Sequence, residues 1–287
     1  MSALPQELRC MSTSAKSSSK KTKKPGLFRR LDICFPWLKL IAVCVIGLII
    51  LLDLLDFTIS KTRDPYDKIK IAPMAKHVRV SERTLEGKKI VALTFDDGPS
   101  AETTPRLLDV LYQKDAVATF FMLGSRARHN PDIVLRAVKD GHEVASHTMY
   151  HQNLARIPAG AIADDVNEAQ AVFREILGQS ASLSRPPYGN INDHVRAHIG
   201  TPMILWSVDT LDWKHRNTES IMGYTLDQVY DGAIILMHDI HPTSVDAVPT
   251  LIDTLRADGY EFATISELIA KRNITLVPGA SYYSFAP

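Results

Sequence analysis

Two adjacent carboxylates at the end of an apolar run are the first sign of chemistry in this chain. Ile90-Val91-Ala92-Leu93-Thr94-Phe95 leads into Asp96-Asp97, and Gly98-Pro99 then breaks the segment. Neighbouring aspartates repel each other unless solvent, a cation or an arginine offsets the charge. Successive side chains on an extended segment point in different directions, so the two can serve separate tasks. A solvated turn would use the same residue types, and it is the later residues that decide. His147-Thr148-Met149-Tyr150-His151 sets two imidazoles four positions apart, so a helical turn or tight loop lets both face one cation. With one aspartate they make a two-histidine, one-carboxylate set with positions left for water and substrate, which suits zinc or another first-row metal. The chain carries its own control. His194 and His198 share that spacing within a surface-type helix, with Arg196 between them, and read as solvated. His77, His129, His142, His215 and His241 read as surface or satisfied core residues.

Those side chains need a scaffold, and an alternation of strands and helices supplies it. Strands are expected at Ile90–Phe95, Ala118–Leu123, Glu143–Ser146, Leu183–Arg185, Met203–Val208, Ala233–Met237 and Glu261–Thr264. Helices are expected between them, opening at Thr104-Pro105, Asn130-Pro131, Pro158, Asn192, Glu219, Pro249 and Ile265. The alternation predicts an α/β architecture with a parallel sheet. Strands apolar throughout, such as Ile234-Ile235-Leu236, indicate burial on both faces. A barrel and an open doubly wound sheet both satisfy this pattern. The absence of a glycine-rich phosphate fingerprint after the first strand weakens a nucleotide-binding version. The placement is informative: Asp96 and Asp97 follow the first strand, His147 the third, Arg185 ends the fourth, Asp209 and Asp212 follow the fifth, and His238 ends the sixth. The C-terminal edge of such a sheet is where sites are assembled.

Five segments stand in a telling order. They are Thr94-Phe95-Asp96-Asp97-Gly98-Pro99, Ser146-His147-Thr148-Met149-Tyr150-His151, Arg185-Pro186-Pro187-Tyr188-Gly189, Asp209-Thr210-Leu211-Asp212-Trp213 and Leu236-Met237-His238. Together they resemble the motifs of the polysaccharide deacetylases of carbohydrate esterase family 4, the NodB-homology domain, over roughly Lys88 to Arg272. The resemblance implies a distorted (β/α) barrel of about seven parallel strands. It implies that Asp97, His147 and His151 bind a divalent metal, Zn2+ first, with Co2+, Mn2+ or Ni2+ also accepted, and that Asp96 is the general base. Arg185 would orient Asp96 and keep it charged. The Tyr188 N–H would meet the oxyanion. His238 would protonate the departing amine, kept cationic by Asp212 or, second, Asp209. Trp213 and Leu236 would line the pocket for the acetyl methyl, with Tyr188 also offering a face to a sugar ring. The activity implied is removal of N-acetyl groups from an extracellular polysaccharide, peptidoglycan N-acetylglucosamine or chitin-like oligomers, with release of acetate. An O-acetyl esterase on xylan and a non-catalytic carbohydrate-binding protein are the alternatives; the intact aspartate and histidine set argues against the second. Trp206 reads as a core residue within a strand.

The 287 residues suffice for one large domain plus an appendage, and a net charge of +1 gives no reason to expect nucleic acid. That sum hides an asymmetry: Lys16, Lys20, Lys21, Lys23, Lys24, Arg29 and Arg30 crowd one side of the apolar stretch Leu40–Leu52. Extended from Trp37 to Leu55, that stretch reaches the roughly 20 residues a membrane-spanning helix needs. The basic flank predicts a cytoplasmic N-terminus and a single-pass anchor, with everything after Asp56 outside. No small-residue cleavage site follows it, which favours an uncleaved anchor over a signal peptide. The expected organisation is a basic tail over 1–36, a transmembrane anchor over 37–57, a stalk over 58–86, the NodB-like domain over 87–274 and a C-terminal tail over 275–287. All three cysteines, Cys10, Cys34 and Cys44, precede the stalk, so any metal beyond it is held by histidine and carboxylate.

Overall fold

The computed structural model describes residues 44–51 and 85–287. The first piece is helical and exposed, and among the described residues no helix is long and apolar enough to cross a membrane. The basic tail, the stalk as far as residue 84 and the rest of the expected anchor lie outside the described residues.

From Lys89 onward the expected strand–helix alternation is present. The central strand β1 (Lys89–Asp96) is flanked by β2 (Thr119–Met122) on one side and β6 (Ile234–His238) on the other, in the order β3-β2-β1-β6-β5, with β3 at Glu143–Ser146 and β5 at Val208–Asp209. Every ladder between named strands is parallel, including that of β7 (Tyr260–Phe262), which pairs β1 over Lys89–Val91. Beyond β3 the wall continues through bridges Ser146 to Ser184 and Ser184 to Met203, into the pair β4 (Met203–Ile204) and β8 (Ser281–Tyr282). An antiparallel bridge from Ala233 to Ser284 brings it back to the start of β6. This is the closed, distorted barrel, and the open-sheet alternative falls away.

Alternation along the strands separates two cores. Val91, Leu93 and Phe95 pack outward with the helices α1 (Thr104–Gln113) and α8 (Pro242–Ala257). Ile90, Ala92, Phe121, Ala145, Ile204 and Ile234 form the interior cluster. Period two then decides what stands at the rim. Asp96 continues the inward series Ile90-Ala92-Thr94, His147 follows Ala145, and Leu236 and His238 follow Ile234.

The structure departs from the expected elements in five places. The segment 183–185 forms isolated bridges rather than a strand, and 203–208 is two short strands interrupted at Leu205–Ser207. Both breaks have one cause: Arg185 turns into the barrel, where the Ile204 and Leu205 carbonyls accept from its Nε (2.8 Å) and Nη2 (2.9 Å). Trp206 is therefore not a strand residue but a half-buried link between the interior cluster and the one around Leu154 and Ile162. Helix α2 (Gly124–His129), just before α3 (Pro131–Lys139), has too short an apolar period to show in the sequence. Helix α8 starts seven residues earlier than expected, because Pro242 takes the first position and Pro249 is carried inside. Finally, the segment expected to be a tail holds β8 and buries Phe285 against the interior cluster.

Candidate metal and acid–base centre

β1, the loop after β3 and the end of β6 bring the predicted residues to one rim. Asp97 leaves β1 with φ 75, which swings its carboxylate away from Asp96 and toward the histidine loop. Its Oδ1 lies 3.4 Å from His147 Nε2 and 3.2 Å from His151 Nε2. Those three ligand atoms lie within 4.8 Å of one another, and Asp97 Oδ1 is buried with no hydrogen-bond partner. An orphaned carboxylate oxygen facing two imidazole nitrogens is a donor set made for a divalent cation. The protonation state agrees. Burial pushes His147 down to about 3 against the pull of Asp97, so its imidazole is neutral. Its Nδ1 faces the Arg185 carbonyl at 2.7 Å, which can only accept, so the proton sits there and Nε2 keeps its lone pair.

The His147–His151 loop is held from behind. Thr148 (φ 71) and His151 (φ 57) are left-handed, a conformation that persists only where the surroundings impose it. Asp165, on α4 (Ala159–Leu177), accepts the Met149 N–H at 2.7 Å, and the Thr148 hydroxyl lies beside it without closing a hydrogen bond. The turn after β1 is held similarly. Asp239 Oδ2 accepts from Thr104 Oγ1 at 2.5 Å, and that hydroxyl accepts the Ser100 N–H at 2.8 Å. A side chain at Gly98 would collide with the Asp239 carboxylate, so only glycine lets the turn pass there. Burial raises Asp239 to about 7.

Asp96 occupies the inner side of the rim, 3% exposed, beneath the metal set. Arg185 Nη1 donates to its Oδ1 at 2.7 Å and to Thr94 Oγ1 at 2.9 Å. The guanidinium stacks 4.0 Å over the Phe121 ring and is itself fully buried. Burial raises the Asp96 carboxyl, opposed by Arg185 and His238. A carboxylate raised by desolvation yet paired with a fixed cation is a stronger base than one in water.

Across the rim, Asp212 opens the short helix α6 (Asp212–His215). Its Oδ1 accepts from His238 Nδ1 at 2.8 Å, and its Oδ2 accepts the His238 N–H at 2.7 Å and the Ser244 hydroxyl at 2.6 Å. Burial works against the charge on His238, but Asp212 outweighs it and raises the imidazole to about 9. The choice between the two aspartates is thereby decided: Asp209 instead accepts the Leu211 N–H at 2.9 Å.

The remaining predicted residues surround this floor. Leu236 is buried below His238 on the same face of β6, while Tyr188 and Trp213 stand exposed at the mouth. Tyr188 has φ 62 within the 3₁₀ turn Pro187–Gly189. Gly189 and Asn190 direct their N–H groups to the Pro186 and Pro187 carbonyls, whereas the Tyr188 N–H makes no backbone hydrogen bond in that turn. The control pair behaves as expected: His198 Nδ1 bonds the His194 carbonyl on the helix surface, and among the described residues no third ligand joins them. His142 is buried with its ring edge on Phe120.

Asp165, Asp239 and Ser244 were not foreseen. Asp165 had a legible signal, because it falls on the apolar stripe Ile162-Val166-Ala169-Phe173-Ile176, where a carboxylate needs a reason. Asp239 directly follows His238 and could have been inspected for that alone.

A closed α/β barrel with a two-histidine, one-carboxylate cluster facing a carboxylate-held imidazole defines a hydrolase-type, metal-ready centre. Residues 84–200 match the family model described as polysaccharide deacetylase. The chain is 41% identical over 197 residues to the peptidoglycan-N-acetylmuramic acid deacetylase PdaC of Bacillus subtilis, an alignment of 67% of this chain and 42% of that one. It is 37% identical over 190 residues to a peptidoglycan-N-acetylglucosamine deacetylase of Bacillus cereus, covering 63% of this chain and 89% of that one. Among solved structures, T48 deacetylase with substrate superposes with a TM-score of 0.65 at 39% identity, over 68% of this chain and 96% of that one. A family 4 acetyl xylan esterase from Clostridium thermocellum in complex with cobalt superposes equally well, TM-score 0.65 at 30% identity, over 68% and 98%. This chain belongs to the polysaccharide deacetylase family. It spans about two fifths of the length of PdaC.

Proposed function

We propose that this protein is a metal-dependent deacetylase that hydrolyses N-acetyl groups of an extracellular polysaccharide, with peptidoglycan N-acetylglucosamine as its substrate unit, and releases acetate. The observation that carries the reading is the opposition of two histidines in one rim, His147 held neutral by burial beside Asp97 and His238 held cationic by Asp212. Hydrolysis of an amide needs both kinds of group within one pocket.

Asp97 and the Nε2 atoms of His147 and His151 would hold the cation, for which zinc is the first choice on the donor set. When bound, such a cation polarises the acetyl carbonyl and lowers the pKa of the attacking water. Asp96 takes the proton of that water, with Arg185 keeping the carboxylate ionised and aimed. The free Tyr188 N–H supplies a preorganised donor to the oxyanion. His238 Nδ1 is engaged by Asp212, so Nε2 is the nitrogen that gives its proton to the departing amine as the C–N bond breaks. Leu236 and Trp213 receive the acetyl methyl. The apolar segment 37–57 anchors the chain in the membrane, the basic flank cytoplasmic and the catalytic domain outside on the stalk.

The decisive experiment measures acetate release from purified peptidoglycan, chito-oligomers and acetylated xylan, with chelator and metal add-back. Release from the first two, abolished by chelation and restored by Zn2+ or Co2+, supports the reading. Release from xylan alone would replace it with O-acetyl esterase, and no release with any metal would leave a carbohydrate-binding module. For the anchor, deletion of residues 1–57 should move the protein from the alkaline-washed membrane fraction to the soluble one. Retention after deletion would sink it.

A further inference from the structure

Helix α6 is one turn long, and the residues on both sides of it are left-handed, Leu211 at φ 52 and Arg216 at φ 48. Its first residue is the carboxylate that holds His238. The Arg216 N–H closes the turn on the Asp212 carbonyl at 3.2 Å, and its Nε donates to the Trp213 carbonyl at 2.9 Å. Arg216 is thus tied to the backbone of Trp213, whose side chain is exposed at the mouth, one turn from the residue that orients the acid. Its positive charge is felt by His241, whose ring lies 5.8 Å from that of His238. Both terminal nitrogens of Arg216 remain unengaged by any carboxylate among the described residues, and so does neighbouring Lys214. Arg106, Arg128, Arg136, Arg256 and Arg272 each meet an aspartate or glutamate, whereas Arg216, like Arg126, Arg156, Arg174 and Arg196, meets none among the described residues; Arg216 alone of these adjoins the residue that holds His238. A guanidinium held at Nε with both terminal nitrogens exposed, at the end of the one-turn helix that carries the exposed Trp213, offers a fork to a planar anion, and a carboxylate is its natural match.

We infer that Arg216, aided by Lys214, is a specificity-determining contact for a carboxylate borne by the glycan next to the sugar being deacetylated. The class selected is an acidic strand, such as one carrying the lactyl ether of muramic acid, over a neutral chitin-like oligomer. The inference rests on the deacetylase reading and refines its substrate.

The test compares the full, metal-loaded wild type with Arg216→Gln and Arg216→Lys. The substrates are chito-oligomers and peptidoglycan strands of matched length stripped of stem peptides, so that the lactyl carboxylates are free. Loss of a charge-assisted hydrogen bond should lower the ratio of kcat/KM on acidic strands to that on chito-oligomers by about tenfold or more in Arg216→Gln, through KM. Arg216→Lys keeps the charge and loses the fork, and should fall between. Rising ionic strength should erode the wild-type ratio and leave that of Arg216→Gln flat. An unchanged ratio in Arg216→Gln overturns the inference, even if both activities drop together. Should the wild type release no acetate from either substrate, the deacetylase reading fails separately. Direct binding of the same strands then decides: salt-sensitive binding lost in Arg216→Gln upholds the contact, and equal binding removes it.

Discussion

His147 and His238 are the same residue type at the ends of two parallel strands, both nearly enclosed, yet they carry opposite protonation. His147 is held down to about 3 and His238 is raised to about 9. Burial lowers both, so depth does not separate them. The difference is where the nearest carboxylate sits. Asp212 Oδ1 accepts directly from His238 Nδ1 at 2.8 Å, so protonation strengthens a bond already made. Asp97 Oδ1 stands 3.4 Å from His147 Nε2 with no hydrogen bond, while the other nitrogen of that ring serves a neutral carbonyl. One flank is built to receive a cation and the other to hold a proton. Between them lies Asp96, the only member of the set paired with a buried arginine.

Removing the group between the flanks should have the largest effect. Asp96→Asn keeps the shape and the three proposed metal ligands but removes the proposed base, so kcat should fall about 10³- to 10⁴-fold while metal content by elemental analysis is unchanged. Wild-type turnover by the variant would refute the assignment. Erasing the contrast itself comes next. In Asp212→Asn the imidazole loses its main support, so kcat should fall about 10²- to 10³-fold and the alkaline limb of the pH–rate profile should move to lower pH. An unmoved limb would mean that another group sets it.

The two histidines should also pull stability in opposite directions with pH, measured on the metal-free protein by urea unfolding. His238 has a folded pKa of about 9, above the 6.5 of the unfolded chain. Its contribution is fully present below 6.5 and is lost as pH rises through 9. His147, at about 3 when folded, acts the other way: the unfolded chain binds the extra proton between 6.5 and 3, so stability declines as pH falls through that window. His238→Gln should flatten only the alkaline side and His147→Gln only the acid side. Parallel changes in both variants would show that the contrast is not local.

Much of this centre was legible because it depends on short-range rules. A strand of period two ending at Asp96, the four-residue spacing of His147 and His151, and the apolar strand running into His238 place four side chains on one rim without knowledge of the fold. What the sequence left open depends on contacts across long separations. Asp209 and Asp212 lie three residues apart in similar surroundings, and only the packing of α6 against β6 selects the second. Arg185 looks like the end of a strand until its guanidinium is seen to take two carbonyls from the expected fifth strand and break it. β8 escaped notice because two residues, both half-exposed, carry no apolar period of their own.

The smallest effects concern what stands behind the metal flank, and they separate a formed site from a shared spacing. Asp165 touches neither substrate nor the ligand atoms; it fixes the loop in which Thr148 and His151 are left-handed. Asp165→Asn retains an acceptor oxygen for Met149 but weakens the charge-assisted bond. It should lower metal affinity about 10- to 100-fold in a competition titration with a chromophoric chelator, with kcat at saturating metal much less affected. His198→Gln alters the pair with identical spacing on α5 (Asp193–Ile199) and should leave both metal affinity and kcat within about twofold of wild type, as surface substitutions usually do. Spacing is common to both pairs. What His147 and His151 have and, among the described residues, His194 and His198 lack is a third ligand delivered by a different strand and a buried carboxylate that holds the loop between them. If His198→Gln lost metal as Asp165→Asn should, that distinction would fail.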